Sequence, residues 1–206
     1  CLEMAGLDPT VLIGAHFAPF GPGAKYGQGD FVVAEADESD GSFLRYCPEV
    51  CIVTSIEPDH LENYNGTFDS LIASYRRFLA NCKPNGLRVV GVDDPVAASM
   101  SQEFDCTTYG FSPNAQWRAE VLKLDQQRAS FRVYHQGTFF ADFELNVPGR
   151  HNIANALACI VVADYAGLTV PQIQRALHRF TGAKRRFQII GTYNGALIVD
   201  DYAHHP

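Results

Sequence analysis

Acidic side chains crowd two short stretches of this sequence. Glu35-Ala36-Asp37-Glu38-Ser39-Asp40 sets four carboxylates within six residues, at the end of the apolar run Phe31 to Ala36. Thr54-Ser55-Ile56-Glu57-Pro58-Asp59-His60-Leu61 closes a second apolar run, Val50 to Ile56, and sets His60 beside Asp59 and Glu57. Side chains alternate along a strand, so Glu35 and Asp37 share a face and are costly to bury unpaired. Carboxylates gathered at a strand end suit Mg²⁺, which takes oxygen ligands, and a phosphate-bearing substrate. A solvated acidic turn ahead of a short helix near Phe43 reads equally well. His60 can act as a general base, a metal ligand or a phosphate contact, or be structural.

Three further segments carry groups that suit anions or nucleotides. In Pro148-Gly149-Arg150-His151-Asn152-Ile153-Ala154-Asn155 a glycine enters a helix whose first turn holds Arg150, His151 and Asn152. A helix start offers free N–H groups and the positive end of its dipole to an anion. Asn152 and Asn155 share a helical face, although an Asn cap on a polar helix edge needs no ligand. In Gly182-Ala183-Lys184-Arg185-Arg186-Phe187 the adjacent arginines point to different sides of an extended chain. One can reach a phosphate while the other pairs locally; a basic surface turn is the plainer reading. Asp200-Asp201-Tyr202-Ala203-His204-His205-Pro206 follows the strand Leu197 to Val199. A ribose, an adenine face or an interdomain hinge would each use such a set.

The elements that position these groups alternate strands and helices. Val11 to Ala15 is a short apolar run, while Phe31 to Ala36 and Val50 to Ile56 read as strands buried on both faces of a parallel sheet. Gly and Pro between Ala15 and Gly29 predict a loop. Phe68, Leu71, Ile72, Tyr75, Phe78 and Leu79 form one apolar stripe and predict a helix. Arg88 to Val92 is a strand. Asp94 and Pro95 then cap and start a helix expected to reach about Glu103. Cys106 to Phe111 is a further strand. Trp117 to Leu124, Ala129 to His135 and Thr138 to Leu145 read as an antiparallel meander. Helices follow over Asn152 to Tyr165 and Val170 to Phe180, the latter opened by a Thr169/Gln172 capping box. Phe187 to Tyr193 and Ala196 to Val199 pair across Asn194-Gly195. The fold class is α/β: a mostly parallel sheet flanked by helices, with a small antiparallel sub-sheet.

Composition narrows the function classes. The 206 residues are 47% hydrophobic and 19% charged, as in a globular chain. The net charge of −7 argues against nucleic acid as a partner, because phosphate backbones call for clustered Lys and Arg. No apolar run approaches the roughly 20 residues of a membrane helix, and no signal peptide is visible. Cys1, Cys47, Cys51, Cys82, Cys106 and Cys159 form no CxxC pair and read as reduced core thiols of a cytoplasmic protein. Cys1 to Leu7 reads as a helix tail closed by Gly6, which sets the expectation of an N-terminal truncation. The sequence carries no signal for an oligomeric state.

Taken in order, these segments resemble the Mur ligases of peptidoglycan synthesis, and most of all the branch that adds L-alanine to UDP-N-acetylmuramate. The resemblance rests on Ala34 to Asp40, Asp59-His60, Gly149-Arg150-His151-Asn152 with Asn155, Arg185-Arg186-Phe187, and Asp200-Asp201-Tyr202 with His204-His205-Pro206. It runs the length of the chain. Glu38-Ser39-Asp40 favours the alanine-adding branch over the branch that recycles murein tripeptide. The family's central ATP-binding domain would occupy residues 1–183, with residues 184–206 as the hinge and the start of the C-terminal domain. The resemblance implies that ATP phosphorylates the lactyl carboxylate of UDP-N-acetylmuramate and that L-alanine attacks the acyl phosphate. Glu35 and His60 would hold Mg²⁺. His151, Asn152 and Asn155 would contact the nucleotide, Arg186 the ATP phosphates, and Asp201 with Tyr202 or Asp200 the ribose and adenine side. His204 belongs to the same region.

The chain also departs from the family pattern. Nothing in it fits the phosphate loop G-x-x-x-x-G-K-[ST], so these residues alone are expected to be inactive. Gly23-Ala24-Lys25 stands where the family has an Asn-Ala-Arg-like substrate contact. The helix after His60 carries Arg76 and Arg77 and no Lys, where several branches have a carbamylated Lys; this fits the alanine-adding branch. Read from the residues alone, a metal-dependent hydrolase or a non-catalytic nucleotide-binding module stays open.

Overall fold

The computed structural model describes residues 1–17, 21–183 and 188–201. Strands β1 (Thr10–Phe17), β2 (Gly21–Lys25) and β3 (Val32–Ala34) form a small sheet in the order β2-β1-β3. Strands β4 (Val50–Val53), β5 (Leu87–Gly91), β6 (Thr107–Gly110), β7 (Trp117–Leu124), β8 (Ala129–His135) and β9 (Thr138–Leu145) form the main six-stranded sheet in sequence order. Its pairs from β4 to β7 are parallel and those from β7 to β9 antiparallel. The expected meander therefore continues the parallel strands rather than standing apart, and its predicted strand boundaries match.

Helices cover both faces of this sheet. Consecutive residues of β5 point to opposite sides, and both are fully buried. Val90 joins α1 (Phe68–Ala80) and α2 (Pro95–Met100) around Phe43, Leu79 and Met100. Val89 joins α3 (Arg150–Tyr165) and α4 (Val170–Arg179) around Phe131, Leu157 and Ile173.

The local signals explain these elements. The apolar stripe of α1 buries Leu71, Phe78 and Leu79, and Thr67 caps the helix through the Ser70 N–H. Asp94 accepts the Ala97 N–H at 2.6 Å and starts α2 with Pro95 in its first turn. The Gln172 side chain accepts the Thr169 N–H at 2.8 Å, closing the capping box of α4. The pair β10 (Gln188–Tyr193) and β11 (Ala196–Asp200) is antiparallel. Asn194 and Gly195 both take positive φ at its turn, as a tight hairpin requires. Gly6 takes φ 81 and closes the turn Glu3–Ala5.

Three expectations need correction. The Gly- and Pro-rich segment expected as a loop contains β2, which lies at a sheet edge where Pro22 removes no central ladder bond. The run Phe31 to Ala36 does form a strand, but β3 is exposed rather than buried on both faces, and it pairs with β1 outside the main sheet. An apolar run specifies a strand without specifying what covers it. Helix α2 stops at Met100 instead of near Glu103, because residues 101–103 close into turns.

Candidate active site

The topology brings the chemistry-bearing loops to one edge. β4, β5, β6 and β7 run parallel, and β9 runs the same way through two antiparallel steps. The segments after β4, β5, β6 and β9 therefore all leave from the carboxyl edge of one sheet, where open α/β sheets bind ligands. They carry His60, Asp93, Phe111 and the first turn of α3 respectively.

The two acidic segments meet in a cleft of about 290 Å³ lined by Glu38, Thr54, Ser55, Glu57, Asp59 and Tyr75. The Ser39 hydroxyl and N–H hold the Asp37 carboxyl below its usual range, and His60 lies close enough to add to this. Burial pushes the Tyr75 phenol far above its usual range, so the cleft wall keeps a protonated hydroxyl beside its carboxylates. Tyr64, also raised by burial, donates to the Glu38 carbonyl and pins the acidic loop to the turn after His60. His60 itself takes φ 53, a left-handed conformation that a non-glycine residue adopts at some cost. The Asp59 carboxylate braces it, accepting its N–H at 2.9 Å and standing 3.5 Å from Nε2. Glu62 lies 3.8 Å from its Nδ1.

Glu35 behaves differently from its neighbours. Its N–H continues the ladder to Leu12 at 2.8 Å, and its carboxylate accepts the Gly14 N–H of β1. Neither Glu35 nor His60 lines the cleft itself, although their chain neighbours Ala36 and Asp59 do. Among the described residues no three His, Cys, Asp or Glu side chains gather into a metal cage. A hard divalent cation that arrives with nucleotide phosphates needs only one or two protein ligands, and the oxygen-rich donor set here suits it.

The first turn of α3 is fixed by local contacts. The Asn152 Nδ2 donates to the Pro148 carbonyl at 2.6 Å, which ties its amide to the start of the helix and leaves its Oδ1 to accept. The exposed His151 ring folds onto Gly149, where an added Cβ would lie 2.5 Å from the ring. Asn155 is exposed one turn further on, and Asp201 is exposed just past β11. Arg186 and Tyr202 lie outside the described residues, as do Lys184, Arg185, His204 and His205. Lys25 is held at 2.5 Å by Glu3 and 2.6 Å by Asp8. Arg76 forms a two-pronged pair with Glu103, so it ties α1 to the turns that follow α2. All six cysteines are free thiols; Cys51, Cys82 and Cys106 are buried as expected of core thiols, while Cys47 and Cys159 are exposed and correct that expectation.

Sequence reading singled out neither Asp93 nor Phe111. The available signal was their position, each just beyond the end of a parallel strand.

Comparisons with known proteins bear on the family and the fold. The Mur ligase middle domain family matches residues 24–163. The chain is 43% identical over 212 residues to UDP-N-acetylmuramate–L-alanine ligase of Symbiobacterium thermophilum, covering all of this chain and 44% of that protein. It is 45% identical over 208 residues to the ligase of the same name from Desulforamulus reducens, again over the whole chain and 45% of that protein. It therefore spans less than half the length of these curated relatives. The solved structure of UDP-N-acetylmuramate-alanine ligase from Thermotoga maritima superposes with a TM-score of 0.86 at 29% identity, over 99% of this chain and 46% of that one.

Proposed function

The chain belongs to the Mur ligase family through its middle domain, and from that premise we propose that it is the ATP-binding central part of a cytoplasmic ligase joining L-alanine to UDP-N-acetylmuramate. Residues 1–183 make up that domain, and residues 184–206 lead into the next one. The observation that carries the reading is the shared sheet edge. The cleft with Glu38, Glu57 and Asp59 and the first turn of α3 open from the same side of one sheet. The names of the relatives supply the substrates.

The chemistry suits such an edge. The lactyl carboxylate of UDP-N-acetylmuramate attacks the γ-phosphorus of ATP, forming an acyl phosphate and releasing ADP. The amine of L-alanine then attacks the acyl carbon, and phosphate leaves with the former carboxylate oxygen. Negative charge accumulates throughout, so the protein contributes positioning and charge neutralisation. Glu35 and His60 would hold Mg²⁺, which supplies positive charge to the phosphate oxygens. Arg186 would offer its permanent positive charge to those oxygens. The Oδ1 of Asn152 suits the exocyclic amine of adenine as an acceptor, with His151 and Asn155 beside it. Asp201 and Tyr202 take the ribose and adenine side.

Phosphate release by the natural full-length chain tests the proposal. It should require ATP, Mg²⁺, UDP-N-acetylmuramate and L-alanine together. A preference for murein tripeptide over L-alanine would move the chain to the recycling branch. Release without any amine would indicate a hydrolase, and ATP binding without release a non-catalytic module.

A further inference from the structure

Phe111 follows β6 directly, and its half-buried ring packs on the larger core. The Arg150 guanidinium lies over that ring, 4.1 Å from its centroid. The ring's own backbone is anchored in turn. Asp93, just past β5, accepts the Phe111 N–H at 3.0 and 2.8 Å and the Ser112 N–H at 3.1 Å. This approach depends on Gly110, where a Cβ would come within 2.8 Å of the Asp93 carboxylate oxygens. One chain of contacts thus runs from the end of β5, through the end of β6, to the first residue of α3.

The start of α3 has particular need of such an anchor. Its N-cap is Gly149, which gives no side-chain cap hydrogen bond. Its first residue is an arginine, a cation at the positive end of the helix dipole, where charge of that sign is disfavoured. An aromatic face against the guanidinium offsets that conflict. The same helical turn carries Asn152, whose amide is tied to the Pro148 carbonyl.

We propose that Phe111 is a positioning residue for the nucleotide: by seating Arg150 it fixes the first turn of α3, and with it Asn152, at the sheet edge. This rests on the ATP site proposed above. The test uses the natural full-length chain and compares Phe111→Leu, Phe111→Tyr, Arg150→Met and the double variant Phe111→Leu/Arg150→Met, with Asn152→Leu as a control. Phe111→Leu keeps apolar bulk but removes the ring face; Arg150→Met keeps the stem but removes the charge.

Each of these two single variants should raise KM for ATP about three- to fivefold, with kcat changed less than about twofold. The double variant should be no worse than either single, and Phe111→Tyr should match the parent. KM for L-alanine should not move. If the Phe111 and Arg150 effects add, or if both lower the melting temperature without raising KM for ATP, the positioning role is overturned. If Asn152→Leu raises KM for ATP while Phe111→Leu does not, the role is again overturned and the ATP site stands. If Asn152→Leu also leaves ATP binding unchanged, the site itself is wrong and the inference falls with it.

Discussion

Replacing Phe43 by alanine should unfasten the acidic loop from the helix behind it. Phe43 is 1% exposed, with its ring centroid 5.5 Å from that of Tyr75 and 5.2 Å from that of Phe78, both on α1. It lies in the turn Ser42–Arg45, and Asp40 accepts the Ser42 N–H at 2.8 Å, so the ring is tied directly to the acidic segment. A phenylalanine of this burial removes on the order of 150–200 Å² from water, worth about 4–5 kcal/mol at about 25 cal/mol per Å². Measured Phe→Ala changes in cores fall at about 3–5 kcal/mol. A loss of about 4 kcal/mol is therefore expected, or a fall of about 2 M in the urea midpoint for a slope of about 2 kcal/mol/M. Phe43→Leu keeps most of the volume and should cost about 1–1.5 kcal/mol. Urea unfolding can be followed by circular dichroism and by the single tryptophan, Trp117, which lies in the larger core. The two probes should coincide if unfolding is cooperative. A loss below about 1.5 kcal/mol for Phe43→Ala would refute the view that this ring anchors the acidic loop.

Other outcomes follow from the same structure. Residues 1–206 alone should release no phosphate from ATP in the presence of UDP-N-acetylmuramate and L-alanine, since they contain no phosphate loop; clear amine-dependent release would overturn that. The hydrogen bond from Lys25 holds the Asp8 carboxyl below its ordinary 3.8, and Asp8 with Glu3 holds Lys25 above 10.5. A lowered carboxyl stabilises above its unfolded pKa and stops doing so as pH falls through its folded one. A raised lysine stabilises below its unfolded pKa until pH climbs through its folded one. The clamp thus operates across the neutral range and is lost in acid below pH 3.8 and in alkali above 10.5. Lys25→Met should flatten the acid limb of a melting-temperature profile between about pH 5 and 2, and an unaltered limb would count against the clamp.

Much of the fold was legible because the signals were local. The stripe from Phe68 to Leu79, the Asp94-Pro95 start and the Thr169/Gln172 box each specify an element within one or two helical turns. The alternation and two-residue turns of the meander located its strands residue by residue. What escaped was set by partners distant in sequence. Gly21 to Lys25 becomes a strand only by pairing with β1, against its own composition. The exposure of β3 depends on its neighbours rather than its apolar run. At the site, the clustering of carboxylates and His60 was visible, but the salt bridges of Lys25 and the Asp93–Phe111–Arg150 chain join residues 17 or more apart in the sequence. A lone phenylalanine after a strand carries no sign of the arginine that will cover it.

An oxygen label tests the acyl-phosphate route most directly. UDP-N-acetylmuramate labelled with ¹⁸O in its lactyl carboxylate is turned over by the natural full-length chain with ATP, Mg²⁺ and L-alanine, and the phosphate is examined by mass spectrometry. Through an acyl phosphate, the phosphate released in step with the L-alanine adduct carries one oxygen from the carboxylate. Unlabelled phosphate, or label retained wholly in the product, would contradict it.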